Sequence, residues 1–597
     1  MEHSSTTTID RWPANDPMLD PLALYTPSAQ DLESPHIEQT RHSVTRLLTS
    51  EGGVIYLVSF AIYVTVAVLL DFKYHSFNGD ATSRMANGFY IVYSRDPHLA
   101  AVGFVWTPLQ SMADLVLLLG NHLWPALSHN DMAGSLVSAL AMAGAAHQIR
   151  CALREWGLSR APRLVLTAFF ALNPMILYYA GNGMSEGLYI FTLTATTRYL
   201  IRWMHDGDIR SLAYGATALG FSYLTRNEAA AATAFGAVAV VAVSYWRAEG
   251  ARRARRATAM SDAAIFAVPA LTAAVGWAVV SKVITGQYFG QFESIYGNSA
   301  QELLLQHKSF HGRIIYDIQA IGSLWPLLPI TLLISIVLAI RRRDPRMLAP
   351  LAILGGAVAF DSLSLLANSI ENLYRYFLAT LPLEILIVGS LVAAIPSFST
   401  GKLTSKPSRR RNSTMRTGWL SAIGVVVVLL MMVPATVVTS AAMFNPNIGV
   451  QETQFLDFIF DKHVTGLALN TKTSYATIIS MGDYLASLHL PNGDVIVDNA
   501  ALCVPDMITS ISQPKLFVIP NDRDFQRTLA DPLTFHAHYI FEPNPADTPI
   551  SAENIKYPKL WATGAGFAKV VHQIPSRSGC PGFRLFKVVR HPSEALQ

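Results

Sequence analysis

Between Phe77 and Leu109 the chain reads FNGDATSRMANGFYIVYSRDPHLAAVGFVWTPL, a polar and aromatic insert flanked by hydrophobic runs. It carries Asp80, Arg84, Arg95, Asp96 and His98 on one short stretch. A carboxylate held at a membrane boundary can act as a general base, provided it comes within ~3 Å of the hydroxyl it deprotonates. Asp80 suits that role, and it equally suits a helix N-cap, because Gly-Asp precedes a helical pattern from Ala81 to Ser94. Asp96, before Pro97, is a second acid or a turn former, and His98 is an acceptor or metal contact or a lone interfacial histidine. Glu186 follows the turn Gly181 to Ser185, where a cavity or headgroup setting would tolerate its charge; a helix-capping acid in water reads the same way. Arg226 in Thr225-Arg-Asn-Glu228 and Arg375 in Tyr374-Arg-Tyr376 carry guanidinium groups suited to bidentate phosphate contacts, although arginines near helix ends also snorkel. The segment Gly286 to Ala320 adds Tyr288, Glu293, Tyr296, His307, Lys308, His311 and Arg313. That mixture suits a sugar or lipid headgroup, and equally any interfacial loop.

The elements that must position these residues are membrane helices. Of 597 residues, 51% are hydrophobic and 14% charged, against about 25% charged in a soluble domain. A span needs ~20 mostly apolar residues, so 51–444 holds about eleven crossings. They begin at Gly53 to Leu70 and continue at Ala133 to Leu153, Arg163 to Tyr179, Gly187 to Trp203, Leu212 to Leu224 and Ala229 to Trp246. The rest run Ala263 to Thr285, Ile321 to Ile340, Met347 to Ala367, Leu373 to Ile395 and Trp419 to Phe444. Residues 1–50 are polar and read as a disordered cytoplasmic tail. The segment 71–130 is the first outside loop, and its Met85, Phe89 and Val92 recur as one face of a helix lying on the bilayer.

Basic residues supply the orientation. Arg150 to Arg163, Arg202 and Arg210, Arg247 to Arg256, Arg341 to Arg346 and Lys402 to Arg416 fall in every second loop, which puts those loops and the N-terminus in the cytoplasm. Residues 445–597 then form an extracytoplasmic α/β domain. Its expected strands are Asp494 to Asp498, Lys515 to Ile519, His538 to Phe541 and Phe583 to Val589, with a helix from Asp524 to Ala530. Cys503 and Cys580 would both lie outside, where they could pair; two separate thiols fit the spacing as well. The net charge of +4 comes from the loop clusters, with no basic stripe interleaved with aromatics and hence no nucleic-acid partner. No Gly-rich phosphate loop signals a nucleotide site.

The pattern resembles the GT-C superfamily of polytopic glycosyltransferases, bacterial cell-envelope type. The resemblance rests on Phe77-Asn-Gly-Asp80 after the first span, the turn from Asn173-Pro to Ser185-Glu186, the Leu224-Thr-Arg226-Asn-Glu228 turn and Tyr374-Arg375-Tyr376. It implies an inverting transfer of a hexose or pentose from a polyprenyl-phosphate donor to a glycan, lipid or protein acceptor on the outer face of the plasma membrane. Asp80 matches the family's catalytic acid, while Arg226, Arg375 and Arg313 would bind the donor phosphate. Asp96, His98 and Glu186 would supply a second acid, acceptor contacts or metal contacts; no cofactor is required by these residues, and a divalent metal is left open. Membrane lipids surround the body. The competing readings are a transporter or flippase of a lipid-linked saccharide, whose charges should gather near the bilayer middle, and a membrane scaffold or sensor with an outer binding domain.

Overall fold

The computed structural model describes residues 50–294, 296, 309–394, 414–453, 455, 466–577 and 579–595. The tail expected over 1–50, together with His307 and Lys308, falls outside these residues except for Ser50.

Among the described residues, seven helical segments are long and apolar enough to cross a membrane, and nine if two bent helix pairs each count as one. The seven are Glu51–Tyr74, Met132–Glu155, Ala229–Arg247, Arg252–Thr285, Pro345–Leu366, Tyr374–Ala394 and Val425–Phe444. One bent pair joins Arg160–Ala171 to Pro174–Gly181 at 57°, the other Phe310–Leu324 to Leu328–Arg342 at 68°. Proline accounts for both bends, since a residue before proline avoids the helical region and proline itself offers no N–H. At the first bend, Asn173 caps the new helix by accepting from Met175 N–H at 3.0 Å. Two more of the expected spans lie on helices outside this count. Glu186–Asp206 carries four charged residues along 21, and Ile209–Thr225 has only 17. The chain is a multi-pass membrane protein whose bundle buries a continuous core, from Tyr63 and Met142 through Tyr179 and Leu219 to Phe377 and Ile387.

Between the first two spans the chain forms α1 (Gly79–Tyr93) and α2 (Leu109–Leu118). They approach so closely that a Cβ on Gly88 would lie 2.6 Å from the Ser111 carbonyl oxygen. The amphipathic face expected of α1 is real: Met85 and Phe89 are buried. They pack, however, against Met481, Val504 and Met507 of the C-terminal region rather than against lipid.

That region carries a five-stranded mixed sheet: β1 (Val495–Ile496), β2 (Phe517–Val518), β3 (Tyr539–Pro543), β4 (Ala568–Ile574) and β5 (Phe583–Val588), in the order β2-β1-β3-β5-β4. Strands β2, β1 and β3 run parallel, while β5 is antiparallel to β3 and β4. β4 was not among the expected strands. It is an edge strand, exposed or half-exposed over most of its length, so it lacks the buried alternation that marks its neighbours. Cys503 and Cys580 form a disulfide across 77 residues, joining the start of a short helix to the loop before β5. Ser128 Oγ donates to the Thr509 carbonyl at 3.0 Å, and Arg95 bonds Asp522 at 3.0 Å and also Asp524. The 75–131 segment and the sheet region therefore share one side of the bundle.

Candidate active site

Asp80 stands in the first turn of α1, but it is not the cap. Asn78 holds that place, its side chain accepting from Asp80 N–H at 3.1 Å. The Asp80 carboxylate is thus released from capping. Its Oδ2 accepts from Arg375 Nη2 at 2.5 Å. Burial alone would raise the Asp80 pKa, yet the charges of Arg375, Arg84 and Arg226 outweigh it and hold the carboxyl below its ordinary value. The group is ionised at neutral pH, and its side chain keeps 32% exposure.

Arg375 lies in a tight 3-10 turn, Tyr374–Ala379, that opens a late span and leaves its side chain 6% exposed. Its Nε is 3.8 Å from Glu186 Oε1, and its Nη1 is 3.7 Å from Met184 Sδ. Glu186 begins Glu186–Asp206 and is buried; Arg226 Nη1 reaches it at 2.7 Å. Arg226 caps the C-terminal end of Ile209–Thr225 and also donates to Glu228 at 2.6 and 3.0 Å. Arg84, four residues along α1, donates to the Asp80 carbonyl at 3.1 Å and lies over the Trp106 ring at 4.0 Å.

These groups line a cavity of about 140 Å³ that contains Asp80, Arg84, Trp106, Arg226, Glu228, Glu371 and Arg375. Asp80, Glu186, Arg226 and Arg375, drawn from four separate stretches of sequence, are brought together; Asp96, His98 and Arg313 are not. Asp96 is taken by Arg523, which donates from its backbone N–H and Nε at 3.0 Å and from Nη2 at 2.5 Å, so it is no second acid for Asp80. The acid that shares the Asp80 cavity is Glu371, whose pKa is raised by burial. His98 lines a neighbouring, larger cleft. Arg313 donates to Asn368 Oδ1 at 3.0 Å and to the Leu366 carbonyl at 3.2 Å, and is not among the residues lining the cavity. Sequence reasoning gave no role to Trp106 or Glu371: neither sits in a spacing pattern, and only the fold turns them inward. Among the described residues no group of three or more His, Cys, Asp and Glu side chains is arranged to hold a metal ion.

No family model matches the chain, and no curated protein sequence matches it. Solved structures do. ArnT from Cupriavidus metallidurans bound to undecaprenyl phosphate matches over 89% of this chain and 97% of its own, at 14% identity and a TM-score of 0.52. The same protein in its apo state matches over 92% and 98%, at 13% identity and a TM-score of 0.50. The chain has the GT-C glycosyltransferase fold. At this identity the likeness is one of fold, and it spans both the helical body and the appended sheet region. Within the GT-C fold of this chain, the cavity around Asp80 lies between the bundle and the loop helix α1.

Proposed function

We propose that this chain is a glycosyltransferase that moves a sugar from a polyprenyl-phosphate donor to an acceptor hydroxyl, with Asp80 as general base. One observation carries the reading: an ionised carboxylate and three guanidinium groups, those of Arg84, Arg226 and Arg375, converge on one cavity at the boundary of a GT-C membrane body. In the proposed step the acceptor O–H gives its proton to Asp80, and the oxygen attacks the anomeric carbon from the face opposite the phosphate. The bond from that carbon to the phosphate oxygen breaks, and its electron pair leaves with the lipid phosphate. Arg375 and Arg226 stabilise the charge that gathers there; preorganised donors of this kind are often the largest catalytic contribution. Both arginines are paired with acids in the free protein, so donor binding exchanges carboxylate partners for phosphate oxygens. The undecaprenyl phosphate of the ArnT structure supports a lipid-phosphate donor.

The site is assigned to the outer face of the plasma membrane and the N-terminus to the cytoplasm. The alternation of basic loops supports this, as does the Cys503–Cys580 disulfide, since such bonds persist in oxidising compartments. Ser487→Cys, on an exposed position, should react with an impermeant maleimide in intact cells; reaction only after permeabilisation would overturn the orientation. The function itself is tested by offering polyprenyl-phosphate mannose, arabinose and glucose to the purified full-length protein. Transfer from one of them is expected. Lipid scrambling with no transfer from any would favour the flippase.

A further inference from the structure

Beside the charged cavity lies a cleft of about 590 Å³, inside the roughly 300–1,000 Å³ range of small-molecule sites. Its walls come from α1 and the loop after it, from the sheet region, and from the end of Arg252–Thr285 with the residues that follow it, with Asn87, Tyr90, Phe104, Trp106, Asn499 and Asn521 among them. The three amides form a chain. Asn499 Nδ2 donates to Asn521 Oδ1 at 2.8 Å, and Asn521 Nδ2 in turn donates to the Ala101 carbonyl at 2.6 Å and, at 3.4 Å, to Asn87 Oδ1. Gly103, in the left-handed region at φ 71°, lets the backbone pass beside them: a Cβ there would sit 3.5 Å from Asn521 Nδ2 and 3.6 Å from Asn87 Nδ2.

The charges at this cleft are already matched. Arg523 is held by Asp96, and Asp522 shares Arg95 with Asp524. What remains for a ligand is neutral: amides fixed in orientation, aromatic faces and a histidine. An amide presents a donor and an acceptor side by side, which matches a pair of neighbouring hydroxyls, and aromatic rings offer flat apolar faces to the C–H side of a sugar ring. Among the described residues that line the cleft, an anionic ligand would meet no unpaired arginine or lysine.

Trp106 and Val105 line both this cleft and the Asp80 cavity, so the two spaces share a wall. Arg84 stacks on Trp106 at 4.0 Å from the ring centre and so fixes that wall. We infer that the amide cleft is the acceptor subsite and that it takes a neutral oligosaccharide whose terminal hydroxyl passes Trp106 to reach Asp80. This rests on the glycosyltransferase reading for the role of the sugar as acceptor, but not for its binding.

Saturation-transfer NMR on the detergent-purified full-length protein, with mannotriose, maltotriose and α-1,5-arabinotriose as separate probes, reads binding without any donor. At least one trisaccharide is expected to bind. Ala500→Trp, on an exposed residue lining the cleft, should abolish that signal by filling the space. Asn499→Ala removes one amide without adding bulk, and should raise the acceptor KM roughly fivefold to tenfold while leaving the donor KM in place. Trisaccharide binding that is lost in Ala500→Trp, with no transfer from any donor, would uphold the cleft and sink the enzymatic reading. Transfer that proceeds with an unchanged acceptor KM in both variants would sink the cleft and leave the enzyme. The two variants guard against misfolding, since Asn499→Ala disturbs only a side chain at the cleft edge.

Discussion

Two cavities share Trp106 and differ in almost everything else. The Asp80 cavity is small and charged, with Arg375 held by Asp80 and Arg226 by Glu186, each pair joining distant parts of the chain. The amide cleft is four times larger by volume, about 590 against 140 Å³, and is lined mainly by amides and aromatic rings, its one arginine and one aspartate both ion-paired. The difference separates two tasks. Stabilising a leaving phosphate needs fixed charge in a confined space, where water does not screen it. Holding a polyhydroxylated acceptor needs oriented dipoles and room. The first cavity is built by the membrane bundle and α1. The second needs the sheet region as well.

The comparison breaks first at Arg375. Arg375→Ala should lower kcat by roughly 10²–10³-fold, the scale of losing one preorganised donor, and leave trisaccharide binding in the cleft intact. A similar loss of sugar binding would mean that the two cavities act as one. The next largest effect concerns the sheet wall. Replacing both Cys503 and Cys580 by Ser removes a link that closes a 77-residue loop, worth about 4.5 kcal/mol in the chain-entropy account. Thermal unfolding should show the sheet region melting earlier, with the acceptor KM raised and the donor KM unchanged.

A third expectation concerns pH. Because Arg375 heads the charges that hold Asp80 low in the free protein, the acid limb of the wild-type kcat/KM profile should lie below the ordinary carboxylate range. Arg375→Gln should move that limb to higher pH, since the base then keeps its proton longer; an unmoved limb would mean that another group titrates. The smallest effect lies under α1. The Asp506 carboxyl is pushed up from 3.8 to about 6 by burial. Nearby, Asp131, likewise raised by burial, is bonded by Thr82. Between those two values the folded chain holds a proton that the unfolded chain has released, so stability falls as pH rises through that window and stays reduced above it. Asp506→Asn should therefore raise the melting temperature by roughly 2 °C at pH 7 and not at pH 3.5.

Much of this was legible in the sequence because it rests on local chemistry. Apolar length marked the helices, and the expected spans fall on helices or bent pairs. Asp80, Glu186, Arg226 and Arg375 stood out because a charge at a helix end inside a hydrophobic chain is costly without a partner, and the fold supplies those partners. What stayed hidden depends on long-range contact. Asp96 read as an acid near Asp80, but its partner Arg523 lies 427 residues away. The helix cap was misread by two positions, since Asn78 and Asp80 are both good caps and only the backbone decides between them. The exposed face of β4 concealed the strand. The amide cleft was invisible for the same reason as Asp96: Asn87 and Asn521 meet only after the sheet region docks on α1.

The central claim is that Asp80 takes the proton of the attacking hydroxyl. Its most direct test is Asp80→Asn in the purified full-length protein, with transfer from the accepted polyprenyl-phosphate sugar and donor binding measured side by side. The account predicts that donor binding persists while transfer falls by at least ~10²-fold. Transfer at the wild-type rate, in a folded protein that still binds donor, would contradict it.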